Sequence, residues 1–342
     1  MQLGSEMRVL VTGYGGFLGA EICRQLVAAG YQVRGLARSH HVQLESIGVQ
    51  VVQGDIRNRQ VVEQACHGCD AVVHTAAKAG VWGRWEDYYR INTQATELLL
   101  ELAIAANCRG LVYTSSPSVT FDGKHQSGVS ESVPYPTRWL CNYPQTKALA
   151  EQAVIQAGRE GHILTCSLRP HLIWGLGDPH LFPRVIQRTK AGKLRRVGDG
   201  NNLIDVVHVT NAARAHVLAV ERLLNNDRKL NGHSLFITDG KPHRCWDWLC
   251  RIIRAAGLEE PHKGISFRSA YTLGAVLEAT YKLTKQSSEP AMTRFVAAQL
   301  ALDHYFSIGK AKELLGYVPD INEEVEWARC DEWLHSLAAC QQ

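Results

Sequence analysis

Long apolar runs are missing from this chain of 342 residues, which excludes a bilayer-crossing helix, since that needs about 20 apolar residues in succession. The nearest approach, residues 269–284, holds Tyr271, Leu273, Val276, Leu277, Tyr281 and Leu283 but is interrupted by Glu278 and Lys282. It reads as a buried or interface helix, as a wall for a long acyl chain, or as a peripheral contact with a membrane surface. An excess of one charge is missing as well. The net charge is +4 and the basic residues are scattered, with Arg195-Arg196 the tight pair beside a glycine turn, so nucleic acid is not expected as a partner.

Paired metal ligands are also lacking. None of the 15 histidines forms a His-x-x-x-His pair, and His74 and His208 lie in strand-like runs where satisfied core or supporting roles are expected. Cys66-His67-Gly68-Cys69 has the spacing of half a zinc or redox site, but no second pair of ligands follows, so it reads as a helix-to-strand turn and no metal is expected. Residues 1–6 carry neither a basic start nor an apolar run, so no signal peptide is expected. The ten irregularly placed cysteines are then read as reduced thiols of a cytoplasmic protein. Internal repeats and low-complexity tracts are absent. Hydrophobic residues at 45% and charged residues at 20% are ordinary for a soluble enzyme and exclude a disordered or fibrous chain.

What is present is alternation. Strand-like runs at 7–12, 32–36, 49–53, 71–75, 110–115 and 163–169 are separated by helical patterns, notably 19–29, 92–106 and 146–157. This predicts an α/β fold, a Rossmann-type doubly wound parallel sheet with helices on both faces. After Pro170 the texture is broken by Gly175, Gly177, Asp178, Pro179 and Pro183. Runs at 205–209 and 234–238, with a helix over 211–224 between them, return to the core. The expected division is a nucleotide-binding core over 7–170, completed by parts of 205–240. A smaller, mostly helical substrate lobe takes 171–204 and 241–342.

Gly13, Gly16 and Gly19 fall in the first strand-to-helix turn, Gly13-Tyr14-Gly15-Gly16-Phe17-Leu18-Gly19. The first glycine permits a tight turn, the second a close approach of backbone to pyrophosphate, and the third helix-on-strand packing, with the helix N-terminus facing the phosphates. A dinucleotide is therefore expected along Gly13, Gly16, Phe17, Leu18 and Gly19. The second strand ends at Ala37 followed by Arg38, with Arg34 upstream, where an NAD-selective site would place a carboxylate. A guanidinium there suits a 2′-phosphate, so NADP(H) is favoured over NAD(H). Asp55 is a candidate for the adenine amino group, and equally a helix N-cap.

Tyr143-Pro144-Gln145-Thr146-Lys147 places a phenol and an ammonium one helical turn apart, with Pro144 restricting the pair to a helix's first turn. Free tyrosine, with a pKa near ~10, is a poor base at neutral pH, and a nearby cation lowers that value. Such a phenol can give a proton to a carbonyl oxygen as hydride reaches carbon, or take it back.

With these two motifs joined, the chain resembles an extended short-chain dehydrogenase/reductase over nearly its whole length. Within that superfamily it is similar to the 3β-hydroxysteroid dehydrogenase branch. The likeness extends to Ala76-Ala77-Lys78, Tyr113-Thr114-Ser115-Ser116, Leu168-Arg169-Pro170, Tyr305-Phe306-Ser307 and Leu315-Gly316-Tyr317-Val318-Pro319. It implies Ser116 as the catalytic serine, with Ser115 its neighbour, Tyr143 as the proton donor, and Lys147 holding the nicotinamide ribose. It places Ala76, Lys78, Asn92 and Pro170 along the cofactor, Asn92 as a support of the active-site helix. It also implies a homodimer built through 92–106 and 146–157.

Three stretches, 77–83, 116–120 and 169–175, look like the ketoreductases of bacterial long-chain olefin biosynthesis. That likeness implies NADPH-dependent reduction of the 3-keto group of a 2-alkyl-3-oxoalkanoate, a long-chain β-keto acid, alongside thiolase-like and β-lactone-forming partner enzymes. Ile204 stands where nucleotide-sugar members carry a diphosphate-binding arginine, which agrees with an apolar substrate. Lys78, Arg84 and Arg184 are candidates for the substrate carboxylate, or are solvated surface charges. Trp82, Trp85 and Trp174 are pocket walls, or core packing. The rival readings are a hydroxysteroid or sterol dehydrogenase, a non-catalytic NADPH-sensing protein, and a scaffold in an olefin-forming assembly.

Overall fold

The structure is a computed structural model that describes residues 7–339. Val9, Leu10 and Val11 at the centre of β1 (Arg8–Thr12) are all fully buried, although strand side chains alternate between faces. Both faces must therefore be covered. Val9 and Val11 join a core with Ile22 and Leu26 of α1 (Phe17–Ala28), whereas Leu10 joins a second core on the other side.

The chain continues through β2 (Gln32–Ala37), β3 (Gln50–Gln53), α2 (Arg59–Cys66) and β4 (Ala71–His74). A π-helical stretch, Tyr89–Gln94, then leads into α3 (Ala95–Ala105), followed by β5 (Gly110–Thr114), α4 (Asn142–Arg159) and β6 (Leu164–Pro170). After α5 (Leu181–Lys190) the chain returns through α6 (Val209–Leu224) and β7 (His233–Ile237). The seven strands pair in parallel in the order β7-β6-β5-β4-β1-β2-β3. This is the doubly wound sheet. Helices α1 and α6 cover one face and α2, α3 and α4 the other.

The order reverses between β1 and β4, so their carboxyl ends open a crevice at the switch point. There the register pairs Thr12 with Leu36 and with His74, and just beyond, Gly13 comes close to Thr75 and Ala76. A ligand on this sheet finds the glycine turn, the end of β4 and the end of β5 along one edge.

Three features differ from the sequence reading. The run at 205–209 returns to the core through Val207 and Val209, but Val207–His208 pairs with Ile173–Trp174 in a two-stranded ribbon outside the main sheet. The region beyond β7 holds α7 (Cys245–Ala255), α8 (Phe267–Leu283), α9 (Arg294–Ala301) and α10 (Glu323–Ala339), but also takes part in a four-stranded sheet with Gln126–Val129. Its strands have two to four residues, too few for alternation to be seen in sequence. Ile308, Ala311, Leu315 and Tyr317 pack into the core beside α6, so the C-terminal segment is shared between core and lobe.

Candidate active site

The glycine turn is built by contacts that exclude side chains. Gly13 has φ +68°, and a Cβ there would lie 3.0 Å from the backbone nitrogen of Ala76. A Cβ on Gly19 would sit 2.3 Å from the carbonyl oxygen of Gly13, so α1 packs directly on the turn. Gly16 is the N-cap of α1 and offers no side-chain cap, which leaves the first-turn amides, including those of Phe17 and Leu18, to an anionic ligand. These features fit the pyrophosphate of a nicotinamide dinucleotide. His41, which the sequence reading passed over, lies on the same turn with its ring edge-on to Tyr14 at 5.2 Å.

Arg38 is exposed just past the end of β2. Arg34 is not so placed. Its guanidinium donates to the carbonyls of Ala65 at 2.9 Å and His67 at 2.6 Å, capping the C-terminus of α2. Asp55 sits past β3 in a two-point pair with Arg57 at 2.9 and 2.6 Å, and that hydrogen bonding holds its carboxyl down at about 2. The N-cap alternative for Asp55 is corrected: Asn58 caps α2, accepting from Gln60 at 3.0 Å.

Tyr143 stands in the first turn of α4 with Pro144 beside it, as the pentad requires. The phenol is half-buried, and burial pushes its pKa up to about 12; hydrogen bonding from Ser116 pulls the other way. Ser116 and Ser115 are thereby told apart. Ser116 faces Tyr143 and shares a 2.9 Å hydroxyl contact with Ser118, while the Ser115 hydroxyl is buried without a hydrogen-bonding partner.

Lys147 lies one turn beyond Tyr143 on α4. Its ammonium is buried, donates to the carbonyl of Thr114 at 2.6 Å and lies 4.1 Å from the centre of the Tyr113 ring. Burial drags its pKa down to about 7 against the opposing pull of Glu151. A buried ammonium requires a hydrogen-bond acceptor, and the carbonyl at the end of β5 supplies one.

Behind this pair runs a polar chain. Thr12 meets His74 at 2.7 Å, His74 meets Thr96 at 2.9 Å, and Thr96 donates to the carbonyl of Asn92 at 2.7 Å. Asn92 accepts from the Lys78 amide at 2.7 Å, returns a bond to its carbonyl at 3.0 Å, and donates to Thr146 at 3.1 Å. The amide thus ties the segment following β4 to α4, one residue from Lys147. Burial, reinforced by the Lys147 cation, lowers His74 to about 3 and keeps it neutral. His216 of α6, lowered by burial to about 4, meets the Thr114 hydroxyl at 2.8 Å and steadies the same strand end.

Glu151, one turn beyond Lys147, is another residue the sequence reading missed. It is fully buried and accepts from Arg169, Ser167 and Tyr135, each at 2.6 Å, which fixes α4 against β6 just before Pro170. Its position eight residues after Tyr143, on the same helical face, was the available signal. Burial disfavours its charge, but Arg169 and the hydroxyls outweigh that and leave its pKa lowered.

The remaining candidates divide. Lys78 is one-third exposed and lies over the Tyr88 ring, beside the Asn92 clamp. Arg84 is 80% exposed and pairs with Glu86, as a surface charge does. Arg184 joins Arg188 on Glu289. Trp82 and Trp85 are half-buried near Tyr88, but Trp174 is buried among Phe182, Trp248 and Trp327 and belongs to the lobe's core. Cys66 and Cys69 are buried, and burial raises both thiols, Cys66 to about 12, contrary to the thiolate that metal or redox work needs.

A dinucleotide cradle at a switch point, with Ser116 and Tyr143 facing each other at its rim, defines an NAD(P)-dependent oxidoreductase of the extended short-chain dehydrogenase/reductase class. The chain belongs to the 3-beta hydroxysteroid dehydrogenase/isomerase family, whose pattern it matches over residues 10–268. It is 44% identical to the 2-alkyl-3-oxoalkanoate reductase of Shewanella oneidensis over 90% of this chain and 81% of that one. It is 41% identical to the protein of the same name from Stenotrophomonas maltophilia, over 93% and 96%. The sterol-4-alpha-carboxylate 3-dehydrogenase of Mus musculus is 33% identical over 98% and 93%. Among solved structures, a dTDP-glucose 4,6-dehydratase from Streptomyces venezuelae with NAD superposes with a TM-score of 0.74 at 23% identity, over 96% and 97% of the two chains. That likeness establishes the fold.

Proposed function

We propose that this protein is an NADPH-dependent ketoreductase that converts a long-chain 2-alkyl-3-oxoalkanoate into the 2-alkyl-3-hydroxyalkanoate of olefin hydrocarbon formation. The observation that carries the reaction is Tyr143 in the first turn of α4, one turn before Lys147, with Ser116 just past the end of β5. The two bacterial reductases support the substrate.

When bound, the reduced nicotinamide supplies the hydride. Ser116 donates a hydrogen bond to the substrate's ketone oxygen, where negative charge develops. Tyr143, held near a pKa of about 12, carries a proton at neutral pH and gives it to that oxygen. Lys147 would hold the nicotinamide ribose, and Asn92 and Glu151 keep α4 in place. Ala37 at the end of β2 with Arg38 beside it supports a 2′-phosphate and hence NADP(H).

The test runs the reaction in reverse, because a β-keto acid loses carbon dioxide on standing. Nucleotide reduction is followed with a long-chain 2-alkyl-3-hydroxyalkanoic acid and, in parallel, a 3β-hydroxysteroid, each with NADP+ and NAD+. Turnover of the branched hydroxy acid with NADP+ preferred is the expected result. Turnover of the steroid alone moves the substrate to the sterol class and leaves the catalytic assignment standing.

A further inference from the structure

Helix α8 buries only Ala270, Gly274 and Glu278, one residue per turn along a single edge. Gly274 allows this closeness: a Cβ there would lie 2.6 Å from the backbone carbon of Thr293. Glu278, the helix's sole carboxylate, is turned inward and accepts from the backbone and side chain of Arg294 at 2.7 and 2.8 Å. The opposite face therefore carries no acid. It presents Leu273, Val276 and Leu283, which are 45%, 58% and 84% exposed, among Ser269, Thr272, Ala279 and Thr280. Arg268 and Lys282 flank this stripe and Lys285 follows it, all exposed.

An outward helix face in water is ordinarily charged. This one is apolar along its middle, cationic at its rim and free of carboxylates. That is the pattern of a helix lying in a membrane interface, where apolar side chains enter the acyl boundary and cations meet anionic headgroups. Its 17 residues span about 25 Å at the usual rise and can lie along the surface. No helix among the described residues is long and apolar enough to cross a bilayer, so the contact is peripheral.

The inner side of α8 leads to the reaction site. Tyr281 meets Trp82 edge-on at 6.0 Å, and the Trp82 indole donates to the carbonyl of Gln286 at 3.2 Å. The next residue, Gly83, accepts from Asn142 at 2.9 Å, and Asn142 precedes Tyr143. A surface that holds α8 thus lies two contacts from the phenol.

We propose that the outer face of α8, centred on Leu273, Val276 and Leu283, docks this protein on an anionic lipid bilayer. The bilayer is then where a water-insoluble substrate is met; that second part rests on the function proposed above, while the docking does not.

The test is flotation of the purified protein with vesicles of phosphatidylcholine alone or mixed with phosphatidylglycerol, comparing wild type with Val276→Glu and Leu283→Glu. Both positions are exposed, so neither change disturbs the core. The expected result is partition onto phosphatidylglycerol vesicles that weakens with salt and falls about tenfold or more in either variant. Turnover of a short, water-soluble β-keto acid is unchanged by them. Failure of wild type to bind either vesicle, or equal binding by the variants, overturns the proposal. So does self-association of the wild type that the same variants abolish, since the stripe is then an interface between copies. Vesicle binding is read without catalysis, so loss of the ketoreductase reading leaves its outcome interpretable.

Discussion

The Lys147 ammonium rests on the carbonyl oxygen of Thr114 at 2.6 Å, and burial holds its pKa near 7 rather than the ordinary 10.5. Below pH 7 folded and unfolded chains both carry the proton, and the cost of burying the cation is fully present. Between about 7 and 10.5 only the unfolded chain keeps it, so this group makes stability rise with pH across that window. Unfolding free energies from denaturant titrations at pH 7 to 9 are expected to rise more steeply in wild type than in Lys147→Met, by roughly 1 kcal/mol per pH unit. Parallel profiles contradict this placement of the charge.

Replacing Tyr143 with Phe removes the proton donor and leaves the ring. Turnover is expected to fall about 10²–10⁴-fold, with nucleotide affinity and melting temperature close to wild type. Activity near the wild-type level in that variant removes Tyr143 from the chemistry.

Gly19→Ala places a methyl 2.3 Å from the Gly13 carbonyl, a backbone atom that cannot swing aside. Helix α1 must shift, so the expectation is a stability loss of about 1–3 kcal/mol and weaker nucleotide binding, read by calorimetry on the same sample. Gly30→Ala is the control for helix-flanking glycines: a Cβ there has open space, although φ is +89°, so it strains the turn without touching the cradle. Equal nucleotide affinity in the two variants counts against the packing argument.

Much of this arrangement is legible in the sequence. The strands of the main sheet are β-branched runs set between glycines, and Pro144 marks the start of α4 because proline fits a helix only there. The π-helical stretch at Tyr89–Gln94 was not legible. Its residues carry an ordinary helical pattern, and the wider turn is fitted to the reach of Asn92 between Lys78 and Thr146, partners distant in sequence. The carbonyls that Arg34 and Lys147 meet were not legible either, for a related reason. A long cation can meet a phosphate, a phenol or a carbonyl, and which it meets depends on α2 and β5 arriving beside it. Trp174 could have walled a pocket, and it is the arrival of Trp327 from α10 that makes it core.

Asn92 acts through others, so its test separates position from chemistry. Asn92→Ala is expected to cost about 1–3 kcal/mol by leaving the Lys78 backbone unpaired, and to lower kcat more than it raises the KM for substrate. The pH dependence of kcat, set by Tyr143, should keep its shape. A changed profile assigns Asn92 a direct part in proton transfer.

The most direct test of the central claim uses NADPH deuterated at the transferable position with freshly prepared long-chain 2-alkyl-3-oxoalkanoic acid. Mass analysis of the product is expected to show one deuterium at C3 of the 2-alkyl-3-hydroxyalkanoate, formed at a rate that Tyr143→Phe lowers about 10²–10⁴-fold. Substrate lost only as its decarboxylated ketone, with no NADPH consumed, contradicts the account.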